Sequence, residues 1–125
     1  MSKEHIKVEI PGIIAESGLD LCDDDFEIYL RSLRLFVSNV PETLVKMSAV
    51  TSDTLQEYSV RAHGIKGISQ YIGAEDVRIK AKKLEQMSKD GDFSGVIIEN
   101  AAFIKYTDEI VLNIQNWLKK NGLQI

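Results

Sequence analysis

Residues 55–88 read LQEYSVRAHGIKGISQYIGAEDVRIKAKKLEQMS, two apolar seams of helical period joined at a glycine. In the first half Leu55, Tyr58, Ala62, Ile65, Ser69 and Ile72 recur at spacings of three and four, like the inward positions of a helix bundle. In the second half Ala74, Val77, Ala81, Leu84 and Ser88 keep the same rhythm. Gly73 between them is the residue type that closes a helix in the left-handed conformation. Helices joined so tightly run antiparallel, and the stretch predicts a helical hairpin.

Outward from the hairpin, Asp53 with Gln56 three residues later reads as a cap and its partner opening the first arm. Upstream, Asp23, Asp24 and Asp25 supply an N-cap and negative first-turn charge ahead of Phe26, Tyr29, Leu30, Leu33, Phe36, Val37 and Val40. That helix is predicted to end before Pro41, because the residue ahead of a proline disfavours the helical conformation. Pro41 then suits the first position of a shorter helix with Leu44, Met47 and Thr51 inward. Downstream, Gly91 within Asp90-Gly91-Asp92 ends the second arm. A last helix follows, closed by Asn121-Gly122, with two apolar rows seven residues apart: Val96, Phe103, Ile110, Trp117 and Ile97, Ile104, Val111, Leu118.

His5 to Ile10 alternates polar and apolar but has no second strand to pair with, so residues 1–12 read as an extended lead-in. Pro11-Gly12 introduces a short helical segment, Ile13 to Leu19, over the end of the bundle. The expected fold is all-α: an antiparallel up-and-down four-helix bundle over 13–120 with a short extra N-terminal helix, one domain spanning 1–125.

The composition agrees with one core and excludes several classes of function. The chain has 125 residues, 44% apolar and 27% charged, too short for two cores and too apolar for a disordered chain. One cysteine, Cys22, forms no internal disulfide, and with only His5 and His63 beside it no structural zinc site assembles from the usual soft ligands. No apolar run approaches the ~20 residues that span a bilayer, and the start lacks a signal peptide's hydrophobic stretch. A net charge of −4 argues against nucleic acid as partner, and a reduced cytoplasmic location is the expectation.

Function has to come from a site, because a bundle implies none. Gly64 and Gly67 fall inside the first arm of the hairpin, each costing roughly 1 kcal/mol against alanine. His63, Lys66, Gly67 and Gln70 stand at i, i+3, i+4 and i+7, one stripe beside the apolar seam. A nitrogen nucleophile, a cation one turn away and cleared space suit an incoming phosphoryl group, whose transfer is catalysed mainly by positioning and charge stabilisation. At Gly67 a larger side chain is expected to crowd the imidazole or whatever approaches it. Counting from the turn near 74, His63 lies eleven residues before and Glu85 eleven after, so antiparallel packing brings them to one height. A carboxylate there would fix the ring tautomer and leave the other nitrogen free to attack. Lys82 and Lys89, one turn either side of Glu85, would add positive potential. Taken singly, each has a plainer reading: a surface histidine, solvated lysines, a salt-bridging glutamate, glycines marking close packing.

The run Ala62-His63-Gly64-Ile65-Lys66-Gly67-Ile68-Ser69, continuing through Gln70-Tyr71-Ile72-Gly73-Ala74, resembles the His-x-[Leu/Ile]-Lys-Gly-x-[Ser/Ala] motif of histidine-containing phosphotransfer (HPt) domains. Weaker likeness extends over Gly18 to Leu30, Pro41-Glu42 and Ala81 to Glu85. The resemblance implies that His63 accepts the phosphoryl group on its outward nitrogen, Lys66 stabilises the phosphoryl oxygens and Gly67 keeps the surface open. It also implies that Glu85 bonds the histidine, with Gly64, Ser69, Gln70, Lys82 and Lys89 in support. Ile68 stands where the family often has a small residue.

Such domains shuttle a phosphoryl group between receiver aspartates, or take it from a sensor histidine kinase. They bind no ATP, and the chain has no P-loop or kinase-type glycine-rich loop. No cofactor or metal is expected here, magnesium being supplied by the receiver. Apolar positions off the seams, Ile13, Ile28 and Leu35, are expected to dock the partner, and a monomer is expected. Two other readings compete: a helical adaptor that has lost transfer, and the substrate domain of a chemotaxis-type kinase cut from a longer chain.

Overall fold

In the computed structural model, which describes residues 7–123, the periodic segments form five α-helices. These are α1 (Ala15–Leu21), α2 (Phe26–Ser48), α3 (Leu55–Ile72), α4 (Glu75–Lys89) and α5 (Phe93–Lys120), with a 3-10 turn at Ser52–Thr54. No strand occurs among the described residues, and His5 lies outside them. Helix α3 packs on α4, α4 on α5, α5 on α2 and α2 on α3, with α1 laid against α3. The seams meet in one core: Tyr58, Ala62, Ile65, Ser69 and Ile72 of α3, and Val77, Ala81, Leu84 and Ser88 of α4, are buried.

The expected break before Pro41 is absent, and α2 runs through it. An interior proline costs ~3 kcal/mol through a lost hydrogen bond and a clash with the preceding turn. Val37, Val40, Leu44 and Met47 continue one buried face across it, and each such side chain contributes about 1.5–3 kcal/mol on burial. The burial outweighs the proline. Thr51, expected inward, is exposed and instead caps the 3-10 turn in a reciprocal pair with Thr54, the role assigned by sequence to Asp53 and Gln56. Of the three aspartates before α2 only Asp25 caps it, accepting from the N–H groups of Glu27 and Ile28; Asp23 and Asp24 form the preceding turn with positive φ.

On α5 the first row is wholly buried, but in the second only Val111 and Leu118 are, while Ile104 is half-buried and Ile97 is 49% exposed. A seven-residue row drifts about 20° per repeat around a straight α-helix, so the second row starts in solvent and rotates onto the core. The lead-in is tied down at its end: Trp117 Nε1 donates to the Lys7 carbonyl at 3.3 Å and Asn113 Nδ2 to that of Pro11 at 3.1 Å. Inside the core, Tyr58 donates to Asn100 Oδ1 at 2.8 Å while Asn100 Nδ2 donates to the Met47 carbonyl. That pair joins α2, α3 and α5.

Candidate functional site

The register of α3 against α4 is set at their junction. Gly73 takes φ +79°, the left-handed conformation, and a Cβ there would strike the carbonyl of Ile14. The last carbonyls of α3 have donors from the N-terminal third of the chain. Tyr29 donates to Ile72 O at 2.9 Å, the Ile14 N–H to Gly73 O at 2.9 Å and the Cys22 thiol to Tyr71 O. Gly18 lets α1 approach this closely, since a Cβ would press on Tyr29 and the backbone at Ile72. The hairpin is thus pinned at its tip, and positions equally distant from it face each other.

At that height the His63 side chain is 65% exposed and its Nδ1 lies 2.9 Å from Glu85 Oε2. Glu85 is only 7% exposed and takes two further donors: Lys66 Nζ on Oε1 at 2.7 Å and Lys89 Nζ on Oε2 at 2.9 Å. Burial pushes the Glu85 carboxyl upward, but the hydrogen bonds from Lys66, Lys89 and His63 outweigh it and hold the group at about 2, against an ordinary 4.5. The carboxylate is therefore ionised at neutral pH and only accepts, so a neutral imidazole facing it carries its proton on Nδ1. Nε2 then presents a lone pair on the exposed edge of the ring. One carboxylate with two ammonium groups leaves a single positive charge here, in a chain whose net charge is −4.

No packing among the described residues requires the two helix glycines: beyond its chain neighbours and its own helix backbone, a Cβ at Gly64 or Gly67 would meet no atom within 4 Å. This removes the plainer reading, that either glycine marks close helix packing, and of the expectation at Gly67 it leaves crowding of whatever approaches the imidazole rather than of the imidazole itself. The space they leave faces outward. Beside Gly64 it joins a cleft of about 250 Å³ between α2 and α3, lined by Asn39, Thr43, Arg61 and Ile68 among others.

The other expected residues divide. Ser69 is buried and donates to the Ile65 carbonyl at 2.6 Å, so it belongs to the core and not to the stripe. Six residues from His63 is 240° around the helix, which accounts for its place. Gln70 is exposed two turns along, with no bond to this cluster. Lys82 is also exposed and does not reach Glu85, whereas Lys89 does. Helical side chains lean toward the N-terminus, so a lysine at i+4 reaches back to a carboxylate and one at i−3 leans away. Ile28 and Leu35 are exposed, at 41% and 47%, but Ile13 is half-buried against the core. Val60, one turn before His63, is a further apolar residue off the seam and is 66% exposed. Among the described residues no three His, Cys, Asp or Glu gather as metal ligands, and no helix is long and apolar enough to cross a membrane.

A family model described as "Hpt domain" matches residues 31–119, more than half of the chain and the whole of α3, α4 and the cluster around Glu85. No curated protein and no solved structure gave a significant match.

Proposed function

Since the chain belongs to the Hpt domain family, whose members carry out histidine phosphotransfer in phosphorelay signalling, we propose that His63 is its phospho-accepting residue. The observation that carries this reading is an exposed imidazole whose Nδ1 lies 2.9 Å from a buried carboxylate, an arrangement that assigns the ring proton to Nδ1 and the lone pair to Nε2. Nε2 attacks the phosphorus of an aspartyl phosphate on a receiver domain. The N–P bond forms as the P–O bond to the aspartate breaks, and the aspartate departs as carboxylate. Lys66 and the receiver's own cation neutralise the phosphoryl oxygens, magnesium being held in the receiver's acidic pocket. The proton stays on Nδ1, hydrogen-bonded to the Glu85 carboxylate, whose charge balances the positive charge the ring gains. Donation to a second receiver reverses these steps through the same geometry.

The reading extends to a single phosphocarrier domain in the cytoplasm, monomeric, with receiver domains and a hybrid sensor kinase as partners. In it the four long helices run up and down. Gly64 and Gly67 clear the approach to Nε2, and exposed Val60, Ile28 and Leu35 supply apolar contact. Incubation with a phosphorylated receiver tests it. Acid-labile phosphate is expected on the wild type and absent from His63→Gln; equal labelling of the two, or none from any donor, would sink the proposal in favour of a binding adaptor. Phosphorylation only by a kinase with its own ATP site, and never by a receiver, would point instead to a kinase substrate domain.

A further inference from the structure

Glu85 is held by two lysines where one would compensate its charge, and the two come from different helices. Lys66 belongs to α3, one turn after His63, and bonds Oε1 at 2.7 Å. Lys89 belongs to α4, one turn after Glu85, and bonds Oε2, the same oxygen that accepts from His63 Nδ1. Nδ1 and Nε2 flank Cε1, and their in-plane bonding directions diverge widely. An ammonium in contact with Glu85 Oε1 therefore stands at the Nδ1 side, and one in contact with a phosphoryl group on Nε2 stands at the other. Lys66 can serve only one of these positions fully at a time, and its departure would leave a carboxylate 7% exposed to water. An uncompensated buried charge is costly, and that cost would oppose the move.

We propose that the two lysines have divided duties: Lys66 leaves Glu85 for the phosphoryl group, and Lys89 is the positioning residue that then compensates the carboxylate and keeps it aimed at Nδ1. The inference rests on His63 being the acceptor. Lys89 acts through Glu85 and does not touch the phosphate. Without Lys89, phosphorylation must strip Glu85 of its last ammonium, so the phosphorylated state is disfavoured while the free state, still paired with Lys66, is little changed. Without Lys66, Glu85 depends on Lys89 in both states alike, and removing Lys89 then changes the phosphorylation equilibrium little.

This asymmetry makes a double-mutant cycle decisive. Phosphoramidate is the donor: its P–N bond breaks as the phosphorus bonds Nε2, and the nitrogen leaves as ammonia. The equilibrium phosphorylated fraction is measured for wild type, Lys89→Met, Lys66→Met, the double variant and Lys89→Arg. Lys89→Met is expected to lower the equilibrium constant about fivefold, the scale of one partly exposed ion pair. Lys89→Arg restores most of it, and in the Lys66→Met background Lys89→Met changes it less than twofold. The same fivefold loss in both backgrounds would mean that Lys89 meets the phosphate directly and would overturn the proposal, as would no loss in either. Lys89 is more than half exposed, so its substitution leaves the fold intact, which circular dichroism checks. If the wild type takes up no phosphate on His63, it is the acceptor reading that has failed, and the division of lysines goes with it.

Discussion

Glu85→Gln tests the electrostatics of the cluster, since the amide keeps nearly the same shape while it loses the charge and, like a protonated carboxyl, turns one accepting atom into a donor. In the folded protein the carboxyl sits at about 2, against 4.5 for an ordinary glutamate. Each unit of such a difference is worth about 1.4 kcal/mol, so the full shift would correspond to ~3 kcal/mol of folding stability. Two of the three partners, His63 and Lys89, are more than half exposed, and solvent screening brings the expected contribution down to about 1–2 kcal/mol. The folded-state value is depressed, so the contribution is complete above pH ~4.5 and is lost as pH falls toward 2. Urea unfolding of wild type and variant, from pH 7 down to pH 2, reads it directly. The wild type should be the more stable by ~1–2 kcal/mol at pH 7, with the gap closing between about pH 4.5 and 2 as Glu85 protonates. Other carboxylates titrate in both proteins and cancel in the difference. A gap that stays constant with pH, or widens as pH falls, would show that the Glu85 charge does not stabilise the fold.

Four further outcomes, on three variants, follow from the geometry. Gly67→Ala should raise stability by up to ~1 kcal/mol in thermal unfolding, because a Cβ there meets nothing. The same variant should slow transfer from a receiver more than from phosphoramidate, in a side-by-side rate comparison, because the cleared space serves a protein partner. Gly73→Ala should instead destabilise by more than ~1 kcal/mol in urea unfolding, from its positive φ and from the Ile14 carbonyl that the new methyl would strike. Tyr58→Phe leaves Asn100 Oδ1 without its buried donor and should cost about 1–2 kcal/mol by the same measurement, without altering His63 phosphorylation.

The hairpin was legible because its signals were redundant: two seams of matching period, a glycine between them, and a length on either side that set Glu85 opposite His63. Pro41 misled because the rule for the residue ahead of proline is local, while the burial of Val37, Val40, Leu44 and Met47 that carries α2 through it is tertiary. The second apolar row of α5 misled in the same way, its drift around the helix leaving Ile97 in solvent. Within the cluster, spacing located both Lys82 and Lys89 but not the lean of helical side chains that brings only the latter to Glu85. Ser69 carried two readings, as seam and as motif residue, and its burial assigns it to the seam. What periodicity could not supply was the pairing of Lys66 and Lys89 on one carboxylate, since that depends on which helix faces which.

The most direct test of the whole account is the position of phosphorus on the protein. After reaction with phosphoramidate, or with a phosphorylated receiver, nitrogen-15 and phosphorus-31 NMR of imidazole-labelled protein distinguishes the two ring nitrogens of His63. Phosphorus is expected on Nε2, with Nδ1 still carrying its proton toward Glu85. Phosphorus on Nδ1, on another residue, or on no residue at all would contradict it.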